Sequence, residues 1–129
     1  MRALLDTSVF LLMAAAPDQL SREATAVIEN EGVELWLSAA SAWEIAIKAS
    51  VGKLDLPDPP ARFVPERMDS MYVDPLPVAH VHALTVVSLP MHHRDPFDRL
   101  LIAQARVERV PIVSADPVFA RYDVELIRA

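Results

Sequence analysis

The chain has 129 residues, 53% of them hydrophobic, which suits one domain with a buried core over residues 1–129 and excludes a disordered segment. It has no cysteine, which excludes disulfide scaffolds, zinc-thiolate centres and thiol nucleophiles and is compatible with a reducing cytoplasm. A formal charge of −6 excludes generic nucleic-acid binding through a basic surface, so a nucleic-acid substrate has to be attracted by local arginines and bound metal.

In chain order, residues 3–5 form a short buried strand ending at Asp6. Thr7 and Ser8 then offer hydroxyls at the start of a short helix over 9–16. The same stretch imitates a signal peptide, with Arg2, an apolar run over 9–13 and three alanines. Asp6 interrupts it, and the strand-turn-helix reading uses every residue. A helix over 19–31 carries Leu20, Ala24, Val27 and Ile28 on one face and stops at Gly32. A second strand covers 34–37, and Ser38 caps a helix over 39–50 closed by Gly52. The proline-rich stretch 54–60 is a loop and 61–70 a weak helix. A strand over 72–76 and a helix over 78–87 follow. After an irregular loop over 89–94, Asp95-Pro96 opens a strong helix to residue 109. Residues 111–114 form a strand, Asp116-Pro117 opens a short helix to 121, and 124–127 is a last strand. Short apolar strands alternating with helices indicate a parallel α/β sheet covered on both faces, with ligands at the carboxyl ends of the strands. No apolar stretch approaches the length of a membrane span.

Four acids recur where strands end or helices begin: Asp6, Glu44, Asp98 and Asp116. Each has a structural explanation. Asp6 and Asp116 suit helix caps, Asp98 lies in the first turn after the cap Asp95, and Glu44 faces Lys48 at i,i+4. Glu44 also lies on an apolar stripe of Ala40, Trp43, Ile47 and Val51, where an unpaired carboxylate facing a core is costly. Taken together, four acids converging on one sheet edge repel each other unless cations fill the space between them. Three of the four sit at helix N-termini, whose partial positive charge favours ionised carboxylates of low pKa, suited to Mg²⁺ or Mn²⁺. Arg94, Arg99 and Lys48 lie close by, either to pair with the acids or to contact substrate phosphate. The adjacent His92 and His93 cannot easily face one metal together and are assigned to the loop, and Trp36 and Trp43 to the core. The two glycines, Gly32 and Gly52, cannot build a phosphate-cradling loop. A phosphatase with a covalent aspartyl-phosphate also begins with Asp after a strand, but Ser8 stands where its second aspartate belongs. A non-catalytic binding module, with caps instead of ligands, is the other rival.

The motifs Leu4-Leu5-Asp6-Thr7-Ser8, Ser38 to Lys48 with Gly52-Lys53-Leu54, His93 to Ala105, and Val113-Ser114-Ala115-Asp116 with Phe119 and Tyr122 resemble the PIN-domain family, in its VapC-type toxin branch. The resemblance implies a three-layer α/β/α fold with a central, mostly parallel sheet. It implies a Mg²⁺- or Mn²⁺-dependent endoribonuclease with the acidic quartet Asp6, Glu44, Asp98 and Asp116, supported by the hydroxyls of Thr7 or Ser8 and Ser114. It further implies a toxin that stops translation by cutting tRNA or rRNA, a VapB-type antitoxin partner, and a homodimer. An RNA-processing role outside toxin systems stays open on the same fold.

Overall fold

The computed structural model describes residues 1–129. Five strands, β1 (Arg2–Leu5), β2 (Glu34–Ser38), β3 (Val73–Leu76), β4 (Ile112–Ser114) and β5 (Leu126–Arg128), form one sheet in the order β3-β2-β1-β4-β5. Every pairing is parallel, so the sheet is wholly parallel where the expectation was mostly so. Each strand is only three to five residues long; the central β1 and β4 are largely apolar and buried, as strands covered on both faces must be, while the edge strand β3 exposes Asp74 and Pro75. Six helices connect them: α1 (Thr7–Ala15), α2 (Arg22–Ile28), α3 (Ala39–Ser50), α4 (Pro60–Ser70), α5 (His80–Thr85) and α6 (Pro96–Glu108). Single 3₁₀ turns occupy Pro17–Gln19, Val86–Ser88 and Pro117–Arg121. No helix is long and apolar enough to cross a membrane.

The alternation of side chains along the strands divides the interior into two cores, giving the α/β/α layering. Ala3, Leu5, Leu35, Leu37 and Val113 face one side with Val9, Phe10, Ala24 and Ile45. Leu4 and Ile112 face the other with Leu101, Ile102, Ala105 and Phe119. The segment that imitates a signal peptide is thus β1 and α1, with Leu4, Leu5, Val9 and Phe10 fully buried.

Element boundaries moved where a cap decided them. Helix α1 begins at Thr7, two residues earlier than expected, because the Asp6 side chain accepts from the Val9 N–H at 2.7 Å. The expected helix over 19–31 is a 3₁₀ turn followed by α2, since Ser21 takes the cap position and accepts from the Ala24 N–H at 3.0 Å. The expected helix over 78–87 shortens to α5 and a 3₁₀ turn.

The chain order reverses between β1 and β4, so a crevice opens at the carboxyl ends of these two neighbours. Asp6 leaves β1 there, and Ser114 and Asp116 leave β4.

Candidate active site

Asp6, Glu44, Asp98 and Asp116 line one cavity of about 370 Å³ together with Thr7, Ser8, Lys48, Asp95 and Ala115. Five carboxylates and one ammonium face this space. A larger cleft of about 470 Å³ opens beside the starts of β2 and β3, lined by residues that include Ile28, Leu35 and Met71. It lies away from the switch point, so size does not identify the site; the convergence of acids from four separate segments does.

Asp6 is buried at the end of β1. One carboxylate oxygen accepts from the Val9 N–H and the other from the Ser114 hydroxyl. Burial nevertheless pushes its carboxyl above the ordinary value, with the charges of Glu44 and Asp116 adding to the effect and the two hydrogen bonds opposing it. Ser114 is fully buried and also accepts the Asp116 N–H at 3.0 Å, tying the two acids to one hydroxyl. Ser114→Ala is expected to destabilise the metal-free protein at neutral pH by about 1–3 kcal/mol, because a buried carboxylate loses its donor. Urea unfolding with EDTA at pH 7.5 measures this.

Glu44 is buried on α3 and held at both oxygens. Thr7 Oγ1 donates to Oε1 at 2.6 Å and Lys48 Nζ to Oε2 at 2.5 Å. Thr7 has one hydroxyl proton, so its 2.9 Å contact with Ser41 Oγ is donated by Ser41. The hydrogen bond from Lys48 to Glu44 keeps that ammonium above its ordinary pKa, and the charges of Asp95 and Asp98 act in the same direction. Glu44 reaches the site by a route different from the one its sequence suggested. Apart from Ala40, the stripe assigned to the core faces outward: Trp43 is 62% exposed, Val51 60% and Ile47 37%. The buried face is Ala40, Ser41, Glu44 and Ile45, which turns Glu44 toward Thr7 and the sheet edge. Trp43 is therefore not a core residue; its ring packs edge-on against Phe97 at 5.3 Å. Trp36 is half-buried against the second core, with the Arg2 guanidinium 4.4 Å from its ring centre.

Asp95 caps α6 by accepting the Asp98 N–H at 3.0 Å, which leaves the Asp98 carboxylate free to enter the cavity. Burial, reinforced by the charges of Asp95 and Glu44, raises the Asp98 pKa to about 6, although a contact from His93 opposes the rise. The expectation that helix N-termini hold these acids at low pKa is thus overturned for Asp6 and Asp98. Desolvation in a crowd of like charges outweighs the first-turn dipole, which is worth only about 0.3–1 kcal/mol. Asp116 is exposed at the rim and caps the Pro117–Arg121 turn by accepting the Val118 N–H at 3.0 Å.

The three basic residues separate. Lys48 is at the cavity wall, and Arg94 is exposed nearby on the loop. Arg99 is not available to substrate. It is buried, and its terminal nitrogens donate to the carbonyls of Val86 at 3.1 Å and Pro90 at 3.0 Å, with longer contacts to Leu89, His93 and the Tyr122 hydroxyl. It is an internal support for the loop, not a phosphate ligand. His93 was missed as a site residue: Nε2 lies 2.8 Å from Asp98 Oδ2, while His92 turns away against Tyr122. The only sequence signal was its place five residues before Asp98, and no periodicity predicts where a loop histidine turns.

The donor set suits a hard divalent cation. Carboxylate oxygens dominate it, negative charge is in excess with a single ammonium to offset it, and burial among like charges makes two of the acids, Asp6 and Asp98, resist ionisation.

Comparison with known proteins agrees with the fold. Over 60 residues the chain is 47% identical to Ribonuclease VapC16 of Mycobacterium tuberculosis, an alignment covering 46% of this chain and 43% of that protein, so less than half of that relative is spanned. The toxin–antitoxin complex VapBC2 of Rickettsia felis, solved with a promoter DNA fragment, contains a chain that superposes with a TM-score of 0.69 at 15% identity, covering 98% of this chain and 97% of its own. VapBC-5 of Mycobacterium tuberculosis gives 0.63 at 22% identity, covering 99% and 98%. At these identities the two structures establish the shared α/β/α fold. The PIN domain family matches residues 3–125, a span that holds four of the five strands and all six helices, and the chain belongs to the PIN-domain family.

Proposed function

We propose that this protein is a divalent-metal-dependent endoribonuclease, a hydrolase of RNA phosphodiester bonds, and the toxin of a VapBC-type pair acting on tRNA or rRNA. One observation carries the reading: Asp6, Glu44, Asp98 and Asp116 meet in one cavity at the switch point of a parallel sheet, with Lys48 as its only cationic side chain. The partial relative named as a ribonuclease, the two solved toxin–antitoxin complexes and the family membership support it.

Asp6, Asp98 and Asp116, with Glu44, would hold Mg²⁺ or Mn²⁺. A bound divalent cation supplies Lewis acidity at the scissile phosphate and acidifies a water. The chain's own residues orient the rest. Thr7 and Lys48 fix the Glu44 carboxylate at both oxygens, which holds it in place to bind the cation or to orient the attacking water. Lys48 has three N–H donors and gives one to Glu44, which leaves two for phosphate oxygens. Arg94, exposed and outside every ion pair of the structure, extends that contact along the backbone of the RNA. No side chain is set up as a nucleophile. Ser114 is fully buried with its proton given to Asp6, and both Asp6 oxygens are engaged, which also disfavours an aspartyl-phosphate route.

We also infer a VapB-type antitoxin and a second copy of this chain as partners, with residues 1–129 acting as one PIN domain. Apolar side chains stand exposed on two helical surfaces, Trp43 and Ile47 on α3 with Val51 at its C-terminal cap, and Val81, Leu84 and Val87 along α5 and the turn after it. Such surfaces on a small chain call for protein partners. Total cellular RNA incubated with the purified protein tests the activity. Discrete fragments with Mg²⁺ or Mn²⁺ and none after EDTA are expected; no cleavage under either condition would overturn the reading.

A further inference from the structure

The loop leading into α6 is fastened from inside. Arg99 holds the carbonyls of Val86, Leu89, Pro90 and His93, and the Tyr122 hydroxyl accepts the N–H groups of His92 at 3.1 Å and His93 at 2.8 Å. The His93 ring then reaches Asp98, with 2.8 Å between Nε2 and Oδ2. One donor atom from each of His93, Asp98 and Asp116 lies within 4.8 Å of the other two. Asp116 opens the Pro117–Arg121 turn, and Tyr122 closes it, so the support that fixes His93 is continuous with the segment that carries Asp116.

We propose that His93 is a direct ligand of the divalent cation through Nε2, beside Asp98 and Asp116, and that this nitrogen makes the site select Mn²⁺ over Mg²⁺. The inference rests on the metal-site reading above and adds to it a donor of a different kind. Neighbouring donors around an octahedral ion with bonds of about 2.1 Å stand about 3 Å apart, which matches the separation of His93 and Asp98. Coordination requires a free lone pair on Nε2, so the ring carries its proton on Nδ1 when the cation is bound. Mg²⁺ demands oxygen ligands and gives up its waters reluctantly, whereas an imidazole favours transition ions. The competing role is positional, an Nε2–H that donates to Asp98 and orients it.

The test uses the whole chain as wild type and as His93→Gln. A glutamine amide can reproduce the donation to Asp98 but offers no imidazole nitrogen. Mg²⁺ and Mn²⁺ are titrated separately by calorimetry, and the Mn²⁺-loaded protein is examined by pulsed electron paramagnetic resonance for coupling to ¹⁴N. Wild type is expected to show that coupling. His93→Gln is expected to lose it and to bind Mn²⁺ about tenfold more weakly or worse, with Mg²⁺ affinity changed less than about threefold. Absence of nitrogen coupling in Mn²⁺-loaded wild type, or an unchanged Mn²⁺-to-Mg²⁺ ratio in His93→Gln, would overturn the ligand role and leave the positional one. Wild type that binds neither ion would overturn the metal-site reading itself.

Discussion

Asp98→Asn is expected to lower RNA cleavage at least about 100-fold and, in metal-free buffer at pH 7.5, to raise the melting temperature. A variant that loses function while gaining stability marks a residue held for chemistry at the expense of the fold. Asp98 is only one-fifth exposed, and burial lifts its carboxyl from 3.8 to about 6. Its charged form is therefore less stable in the folded protein than in the unfolded chain. The penalty is absent below pH 4, grows between pH 4 and 6, and is complete above the folded value. A shift of this size corresponds to roughly 3 kcal/mol, which solvent contact reduces to about 1–2 kcal/mol. Melting curves with EDTA at pH 4 and pH 7.5 should show the variant gaining over wild type only at the higher pH. With saturating Mn²⁺ the order should reverse, since a ligand that binds only the folded state stabilises wild type alone. The same carboxyl sets an acid limit, so cation binding and cleavage should fall as pH drops through about 6. Destabilisation by Asp98→Asn at pH 7.5 would instead favour a purely structural role in the first turn of α6.

Arg99→Ala is expected to produce the largest loss of stability, about 3 kcal/mol. The guanidinium is buried and supplies donors to carbonyls of the loop that precedes α6, and each carbonyl left without a donor costs about 1–3 kcal/mol unless water replaces it. Arg99→Lys should recover little, because an ammonium is a single point of donation and cannot span carbonyls that a planar fork reaches together. Amide hydrogen exchange should rise at Leu89 to Arg94 in both variants. Cleavage should fall with it, since the same loop carries His93 to Asp98. A neutral effect on stability would mean that the loop holds its shape without this support.

The parts of the site that could be read from sequence are those written in local grammar. Asp6 and Asp116 each follow a short apolar strand and cap what comes next, and Asp95-Pro96 announces α6 with Asp98 in its first turn. A parallel α/β sheet then brings strand ends together whatever the details. Glu44 was singled out through an apolar stripe that turned out to face solvent. Its burial depends on Thr7, 37 residues away in the chain, and no periodicity encodes that contact. Arg99 and His93 exchanged the roles their positions suggested. An arginine next to an active-site acid resembles a phosphate contact until the fold shows it turned inward to Val86 and Pro90. The direction of His93 is fixed by Tyr122, 29 residues later. Long-range packing of this kind decides side-chain direction in loops, and it also decided the pKa values, where burial overcame the helix ends.

Calorimetric titration of the metal-free protein with Mn²⁺, wild type beside Asp98→Asn, is the most direct measurement of the central claim that the four acids form one cation site. Saturable binding by wild type at pH 7.5, lost or weakened at least about tenfold in the variant, is the predicted result. No binding by wild type, or equal binding by both proteins, would contradict it and reduce Asp6, Glu44, Asp98 and Asp116 to caps and an ion pair.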